Sequence, residues 1–193
     1  MDENKSRYPQ ISEIEEELKR ERYRQRYKFS LKNTVFSLVT VAAIAILVAT
    51  LWLPVLQIYG GSMSPTLEDG QIVVSSTFNE LESGDIIAFY YNNKVLIKRV
   101  IAGAGQWVDI DDDGNVYIDG SFLNEPYISE KSKGQTDLDY PYQVPEGRVF
   151  VMGDDREVSV DSRTMAVGCV DREQIIGKII FRVWPVQDFG TVR

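Results

Sequence analysis

The pattern of apolar and polar positions changes character at about residue 56. Ahead of that point, Thr34–Leu56 contains no charged residue, and its core, Val35–Leu53, is dominated by Val, Ala, Ile and Leu. These 23 residues would form a helix about 35 Å long, enough to cross a hydrocarbon layer of about 30 Å. Pro54 sits near the far end, where a helix can stop. The run is too long for the apolar core of a cleaved leader. No small-x-small site follows it, since Leu51–Ile58 is bulky throughout. A buried helix of this length does not suit so small a domain, so a retained transmembrane helix over 34–56 is expected. Upstream, Ile11–Tyr27 places Glu13, Glu15, Glu16 and Glu17 ahead of a series of Arg and Lys. Opposite charges three and four apart, with the acids at the N-terminal end, predict a solvated helix inside a partly helical segment 1–33.

Beyond the apolar run the period shortens. Gln71–Ser75, Asp85–Tyr91, Lys94–Ile101, Trp107–Ile110, Val116–Ile118, Arg148–Met152 and Ile175–Val183 are short apolar or alternating stretches separated by Gly, Asp and Asn. They predict strands, and Tyr91-Asn92-Asn93-Lys94 predicts a tight hairpin turn, because Asn tolerates positive φ. The expected fold is therefore mostly β. Antiparallel sheets form a main domain from 57–106 and 148–193, a small β-hairpin subdomain is inserted at 107–147, and one N-terminal transmembrane helix precedes both.

Charge orients this arrangement. Residues 1–33 carry nine Lys or Arg against seven Asp or Glu, and the remainder carries twelve against twenty-two. Arg20, Arg22, Arg24, Arg26, Lys28 and Lys32 precede the apolar run, and Glu68 and Asp69 follow it. The excess of positive charge on the near side predicts a cytoplasmic N-terminus and a single-pass protein whose β domain lies outside the cell membrane. The lipid bilayer is thus an expected partner. An acidic external domain argues against nucleic acid, which needs clustered positive charge.

Two absences narrow the chemistry. There is no histidine, so neither a Ser-His-Asp nor a Cys-His group can form, and no histidine-ligated metal can be held. The single cysteine, Cys169, lies among apolar residues and reads as a small buried hydrophobe. Asp109, Asp111, Asp113 and Gly114 match the opening of a calcium-binding loop. The twelfth position, which needs a bidentate Glu, is Gly120, and the flanks alternate like strands. Asp112–Asn115 is therefore expected to be a turn. No metal and no cofactor is predicted.

Four segments carry candidate chemistry. Gly60-Gly61-Ser62 closely follows the apolar run, and a serine beside glycines presents an approachable hydroxyl and backbone. Taken alone, such a sequence is usually just a turn. Within Val95-Leu96-Ile97-Lys98-Arg99-Val100-Ile101, strand alternation puts Lys98 on the face of Leu96 and Val100 and turns Arg99 the other way. A lysine among apolar neighbours either snorkels to an edge or is desolvated. Desolvation would lower its pKa from about 10.4, and two to three units, roughly 3–4 kcal/mol, would make Lys98 a competent general base for Ser62. A carboxylate could serve instead, but is a weak base unless strongly perturbed. The segments Gly153–Arg163 and Gly84–Phe89 read, by themselves, as a charged turn and a turn entering a core strand.

Taken in order, Ser62-Met63-x-Pro65-Thr66-Leu67, Gly84-Asp85-Ile86, Ile97-Lys98-Arg99-Val100-Ile101 and Gly153-Asp154-x-Arg156-x-x-Ser159-x-Asp161-Ser162-Arg163 resemble the sequence boxes of the bacterial type I signal peptidases. One anchor and a compact external domain are similar to the single-span members common in Gram-positive bacteria. The resemblance implies a serine protease of the membrane that hydrolyses signal peptides from exported preproteins. Ser62 would be the nucleophile and Lys98 the base. Ser159 would orient the Lys98 amine, Asp161 and Arg163 would form a supporting ion pair, and Asp154 and Gly153 would hold the loop. Backbone groups of Gly60, Gly61 and Ser62 would bind the oxyanion, with Gly60 standing where some members carry a Ser. Ile58, Met63, Leu67, Leu96 and Ile97 would line the substrate groove, and the secretion machinery would be a further partner. Asp155 replaces the usual Asn, and Arg163–Gly168 is longer than the common spacing. Rival readings are a relative specialised for pilins or conjugation components and a catalytically inactive, membrane-tethered β scaffold. The joint presence of Ser62, Lys98 and Ser159 weighs against the scaffold.

Overall fold

The computed structural model describes residues 11–77 and 80–192, so the first ten residues of the expected N-terminal segment lie outside the description. Two compact units divide near residue 50. The first is a single helix, α1 (Ile11–Trp52), 42 residues or about 63 Å long. The charged stretch and the apolar stretch are thus one continuous helix. Within it, Ile14–Leu47 is long and apolar enough to cross a membrane. Val35, Phe36, Leu38, Val39 and Ile44 are all exposed, an apolar surface that water does not favour and lipid does. Thr34 and Thr40 return their hydroxyls to the carbonyls of Ser30 and Phe36, at 3.0 and 2.8 Å, as a hydrocarbon surrounding requires.

The helix ends four residues earlier than the apolar run. Pro54 has no N–H to donate and disfavours helical geometry in the residue before it. Past it the chain is already strand β1 (Val55–Gln57), so Val55 and Leu56 leave the expected 34–56 span and join the β domain. The apolar run continues because Leu56 packs against a core cluster.

Strand β1 pairs with β2 (Ile72–Ser76) in the register Leu56 to Val73. β3 (Ile86–Tyr91) and β4 (Lys94–Ala102) form a hairpin closed by Asn92 at φ 51°, with Tyr91 opposite Lys94. β5 (Trp107–Ile110), β6 (Val116–Ile118), β7 (Ser121–Phe122) and β8 (Tyr142–Gln143) make the small inserted sheet, ordered β7-β6-β5-β8. β9 (Arg148–Met152), β10 (Val170–Asp171), β11 (Ile175–Trp184) and β12 (Gly190–Thr191) complete the chain. The large sheet runs β1-β2-β11-β3-β4-β9-β10, with β12 beside β11, and every pairing in both sheets is antiparallel. At the β5–β6 turn, Asp111 accepts hydrogen bonds from the backbone N–H and side-chain amide of Asn115, both at 2.8 Å. Its carboxylate closes the turn.

The two sheets share a core. Val108, Ile110 and Val116 of the small sheet pack with Ile101, Phe150 and Met152 of the large one. Two further clusters fill the large sheet on either side, one with Ile86, Met63 and Leu67, the other with Ile87, Val100 and Val151. Phe150 is fully buried where the sheets meet. Phe150→Ala is expected to cost about 3–5 kcal/mol through lost transfer energy and a residual cavity. Urea unfolding of the detergent-solubilised protein measures it, and a loss under about 1 kcal/mol contradicts this account of the core.

Candidate active site

Ser62 lies on a short segment fastened at both sides. Before it, Ile58 donates its N–H to the Gln71 carbonyl at 2.8 Å and accepts from Gly70 N–H at 3.0 Å. Gly60 takes φ +83°, a conformation that favours glycine, and its N–H donates to Asp69 Oδ1 at 2.7 Å. After it, Ser64 N–H reaches Gly61 O and Leu67 N–H reaches Met63 O, each at 2.9 Å, making one tight turn. Met63 and Leu67 are buried beneath that turn, so the hydroxyl between them and the surface has little freedom.

Lys98 comes from the middle of β4. Its register partner is Ile87 and that of Arg99 is Ile86, residues of two different core clusters, so the neighbouring cations leave the strand on opposite faces. Lys98 is only 3% exposed. Its Nζ is hydrogen-bonded to Ser62 Oγ at 2.7 Å. As an ammonium it donates to the hydroxyl; as a neutral amine it accepts the hydroxyl proton. Burial drives the Lys98 pKa down from 10.5 to about 8, Asp161 and Asp154 pull it back up, and Arg163 pushes it further down. About half of the amine is then neutral near pH 8, where an unperturbed lysine is well under 1% neutral.

The loop after β9 closes over this pair. Asp161 accepts from Gly153 N–H at 3.0 Å and from Arg163 Nε and Nη2, both at 2.9 Å. Burial alone would raise the Asp161 pKa, but the guanidinium and the Gly153 N–H hold it below the usual carboxylate range. Ser162 Oγ receives Val151 N–H at 2.9 Å and donates to Gly168 O at 2.7 Å, so the longer Arg163–Gly168 stretch is folded back onto β9. Asp155 N–H donates to Ser62 O at 3.2 Å, joining loop and nucleophile segment directly.

Several expectations need correction. Ser159 does not hydrogen-bond the Lys98 amine. Its Oγ is buried with no hydrogen-bond partner among the described residues, near enough to Asp161 to favour that carboxylate's charge, while the Lys98 amine is hydrogen-bonded to Ser62. The Gly60 N–H, expected among the oxyanion donors, donates to Asp69 Oδ1 at 2.7 Å in this structure. Gly61 and Ser62 lie beyond that bond. Leu67 is fully buried in the core and does not reach the groove. The groove itself is a cleft of about 560 Å³ bounded by Leu56, Ile58, Ser62, Met63, Leu96 and Ile97. It is an apolar trough ending at the nucleophile.

Sequence reading expected the Asp161–Arg163 pair but missed the two other buried ion pairs around it. Arg99 grips Asp154 with Nε at 2.9 Å and Nη2 at 2.6 Å, and Thr66 donates its hydroxyl to the same carboxylate. Arg156 makes a two-pronged contact with Glu125 and donates Nε to Gly153 O at 3.0 Å. Tyr127 donates to Glu125 at 2.8 Å and lies under the Arg99 guanidinium, 3.8 Å from the ring centre. The motifs hold three arginines and three carboxylates, but Asp85 pairs with Lys178 and the partner of Arg156, Glu125, lies outside every motif.

A family model described as signal peptidase, peptidase S26, matches residues 31–184. The chain belongs to that family. It is similar to Signal peptidase IB of Staphylococcus aureus (strain Mu50), 34% identical over 183 residues covering 84% of this chain and 94% of the relative. It is also similar to Signal peptidase I of Bacillus licheniformis, 35% identical over 175 residues covering 81% and 92%. A crystal structure of a signal peptidase I from Enterococcus faecalis V583 matches 53% of this chain and 98% of its own, at 30% identity and a TM-score of 0.45. As a signal peptidase family member the chain is a peptidase, and its mostly antiparallel β fold is as expected from the sequence.

Gly153 gives this site its sharpest steric test. A Cβ there would collide with Ser62 O and with Ser159 Oγ. Gly153→Ala is expected to lower peptidase turnover at least about 100-fold by displacing the nucleophile segment. Assay beside a thermal unfolding scan separates lost geometry from lost fold, and full activity would contradict the packing described.

Proposed function

We propose that this protein is a membrane-anchored serine endopeptidase that removes N-terminal signal peptides from exported preproteins, with Ser62 as nucleophile and Lys98 as general base. The observation that carries this reading is the 2.7 Å contact between Ser62 Oγ and a buried lysine whose pKa falls to about 8. In the proposed cycle, neutral Lys98 takes the Ser62 proton as Oγ attacks the scissile carbonyl. The Ser62 N–H, beyond the Gly60–Asp69 contact, is the backbone donor for the developing oxyanion. The lysine ammonium then returns its proton to the departing amine, which leaves as the new N-terminus and generates an ester on Ser62. Lys98, neutral again, deprotonates a water that opens the ester, then returns that proton to the departing Ser62 Oγ, which releases the signal peptide as a carboxylic acid and restores the pair.

The substrate reading rests on the apolar trough. An extended segment laid between Gln57–Gly60 and the start of β4 would use backbone hydrogen bonds for affinity, with Ile58, Met63, Leu96 and Ile97 shaping shallow pockets for small side chains. Asp161 and Arg163 hold the loop that covers the lysine, and Asp154 ties it to β4. The bias of positive charge ahead of the apolar stretch supports a cytoplasmic N-terminus and an external β domain, close to where exported chains emerge.

With a preprotein bearing an Ala-x-Ala site, Ser62→Ala is expected to abolish cleavage, and Lys98→Ala to lower it by about 10²–10⁴-fold. Because the base must be neutral, wild-type kcat/KM is expected to rise with pH through an apparent pKa of about 8. Full activity in Lys98→Ala, or a profile that falls across this range, would overturn the mechanism.

A further inference from the structure

A second cleft, of about 440 Å³, opens beside the turn that follows Ser62, between Ser64 and Pro65, the loop Asp155–Val158 and the chain at Ser129–Ser132. It adjoins the reaction centre, since Asp155, on its wall, donates its N–H to Ser62 O. Its character is opposite to that of the apolar trough. Glu130, Asp155 and Glu157 line it and make no ion pair among the described residues, whereas the buried Asp154 is neutralised by Arg99 and Arg156 is taken by Glu125. The remaining cation on the described wall, Lys131, holds Asn115 Oδ1 at 2.7 Å and lies 4.9 Å from the Phe122 ring centre. Three carboxylates therefore face a single, already engaged ammonium.

A peptide bond cut at Ser62 has two sides, and the apolar trough accounts for one. We propose that the second cleft receives the other side, the first residues of the mature chain, and that Glu130, Asp155 and Glu157 make it select segments carrying Lys or Arg over segments carrying Asp or Glu. This inference rests on the endopeptidase reading above and adds a charge rule to it. Like charge in a half-open cleft is disfavoured and opposite charge favoured by Coulomb terms that salt weakens.

The test uses the full chain in detergent and three preprotein substrates identical up to the scissile bond. Their second to fourth mature residues are Ala, Lys or Glu. At low ionic strength the Lys substrate is expected to exceed the Glu substrate in kcat/KM by roughly fivefold to twentyfold. That ratio should shrink toward one in 0.5 M salt and in a triple variant, Glu130→Gln, Asp155→Asn, Glu157→Gln. A ratio taken within each enzyme is insensitive to a change in the variant's overall activity, and the salt dependence of the wild type stands even if the variant misfolds. Cleavage of the Ala substrate with equal rates for Lys and Glu would overturn the charge rule alone, as would a preference that survives high salt unchanged. Failure to cut any of the three would overturn the endopeptidase reading and the rule with it.

Discussion

A lysine amine taken out of water loses the solvation of its charge, and this loss is the constraint around which the β domain is organised. Lowering the Lys98 pKa from 10.5 to about 8 corresponds to roughly 3 kcal/mol between its two protonation states. The sign follows from linkage. The unfolded chain holds that proton up to pH 10.5 and the folded chain only to about 8. This group therefore destabilises the fold below pH 8, and the penalty disappears as pH rises through that window. A surface lysine would carry no such penalty and would be useless as a base near neutrality. Activity and stability oppose each other at this one side chain.

What keeps the site from relaxing is a framework of three arginine–carboxylate pairs with almost no exposure: Arg99 with Asp154, Arg156 with Glu125, and Arg163 with Asp161. Buried pairs of this kind add little net stability compared with apolar packing, yet breaking one strands an uncompensated charge. They therefore hold geometry more than they add stability. Through Thr66 the first pair links β4 to the turn after Ser62, and through Gly153 the other two converge on the loop over the lysine. Glu125 and Tyr127 belong to the chain between β7 and β8, inside the small insertion, which gives that insertion a part in positioning the loop. Asp161 also moderates Lys98, raising a pKa that burial alone would push lower.

Much of this was legible in the sequence because it is local. Seven of the eight strands of three or more residues follow from alternation and turn residues, and the β3–β4 hairpin from Asn92. With no histidine, a lysine among Val, Leu and Ile stands out as a candidate base, but the assignment of Ser62 as its nucleophile came with the resemblance of the ordered motifs. The illegible parts have physical reasons. β1 was hidden because apolar residues needed for lipid and apolar residues needed for a sheet read alike, and only Pro54 separates them. β7, β8, β10 and β12 are two residues long, too short to show a period. Glu125 looks like any loop glutamate, because its burial is fixed by an arginine 31 residues away. Leu67 and Ser159 sit in the expected motifs, but the choice between core and groove, or between Lys98 and no hydrogen-bond partner, depends on three-dimensional packing.

The central claim concerns one proton on one nitrogen, and it is measured most directly by NMR titration of the full chain carrying 13Cε-labelled lysine in detergent. The Lys98 signal is identified by its absence in Lys98→Arg. A midpoint near 8 for that signal, with exposed lysines titrating near 10.5, is the result predicted here. A Lys98 midpoint indistinguishable from the exposed lysines would contradict the account, because the amine next to Ser62 would then be charged at every pH at which the protein works.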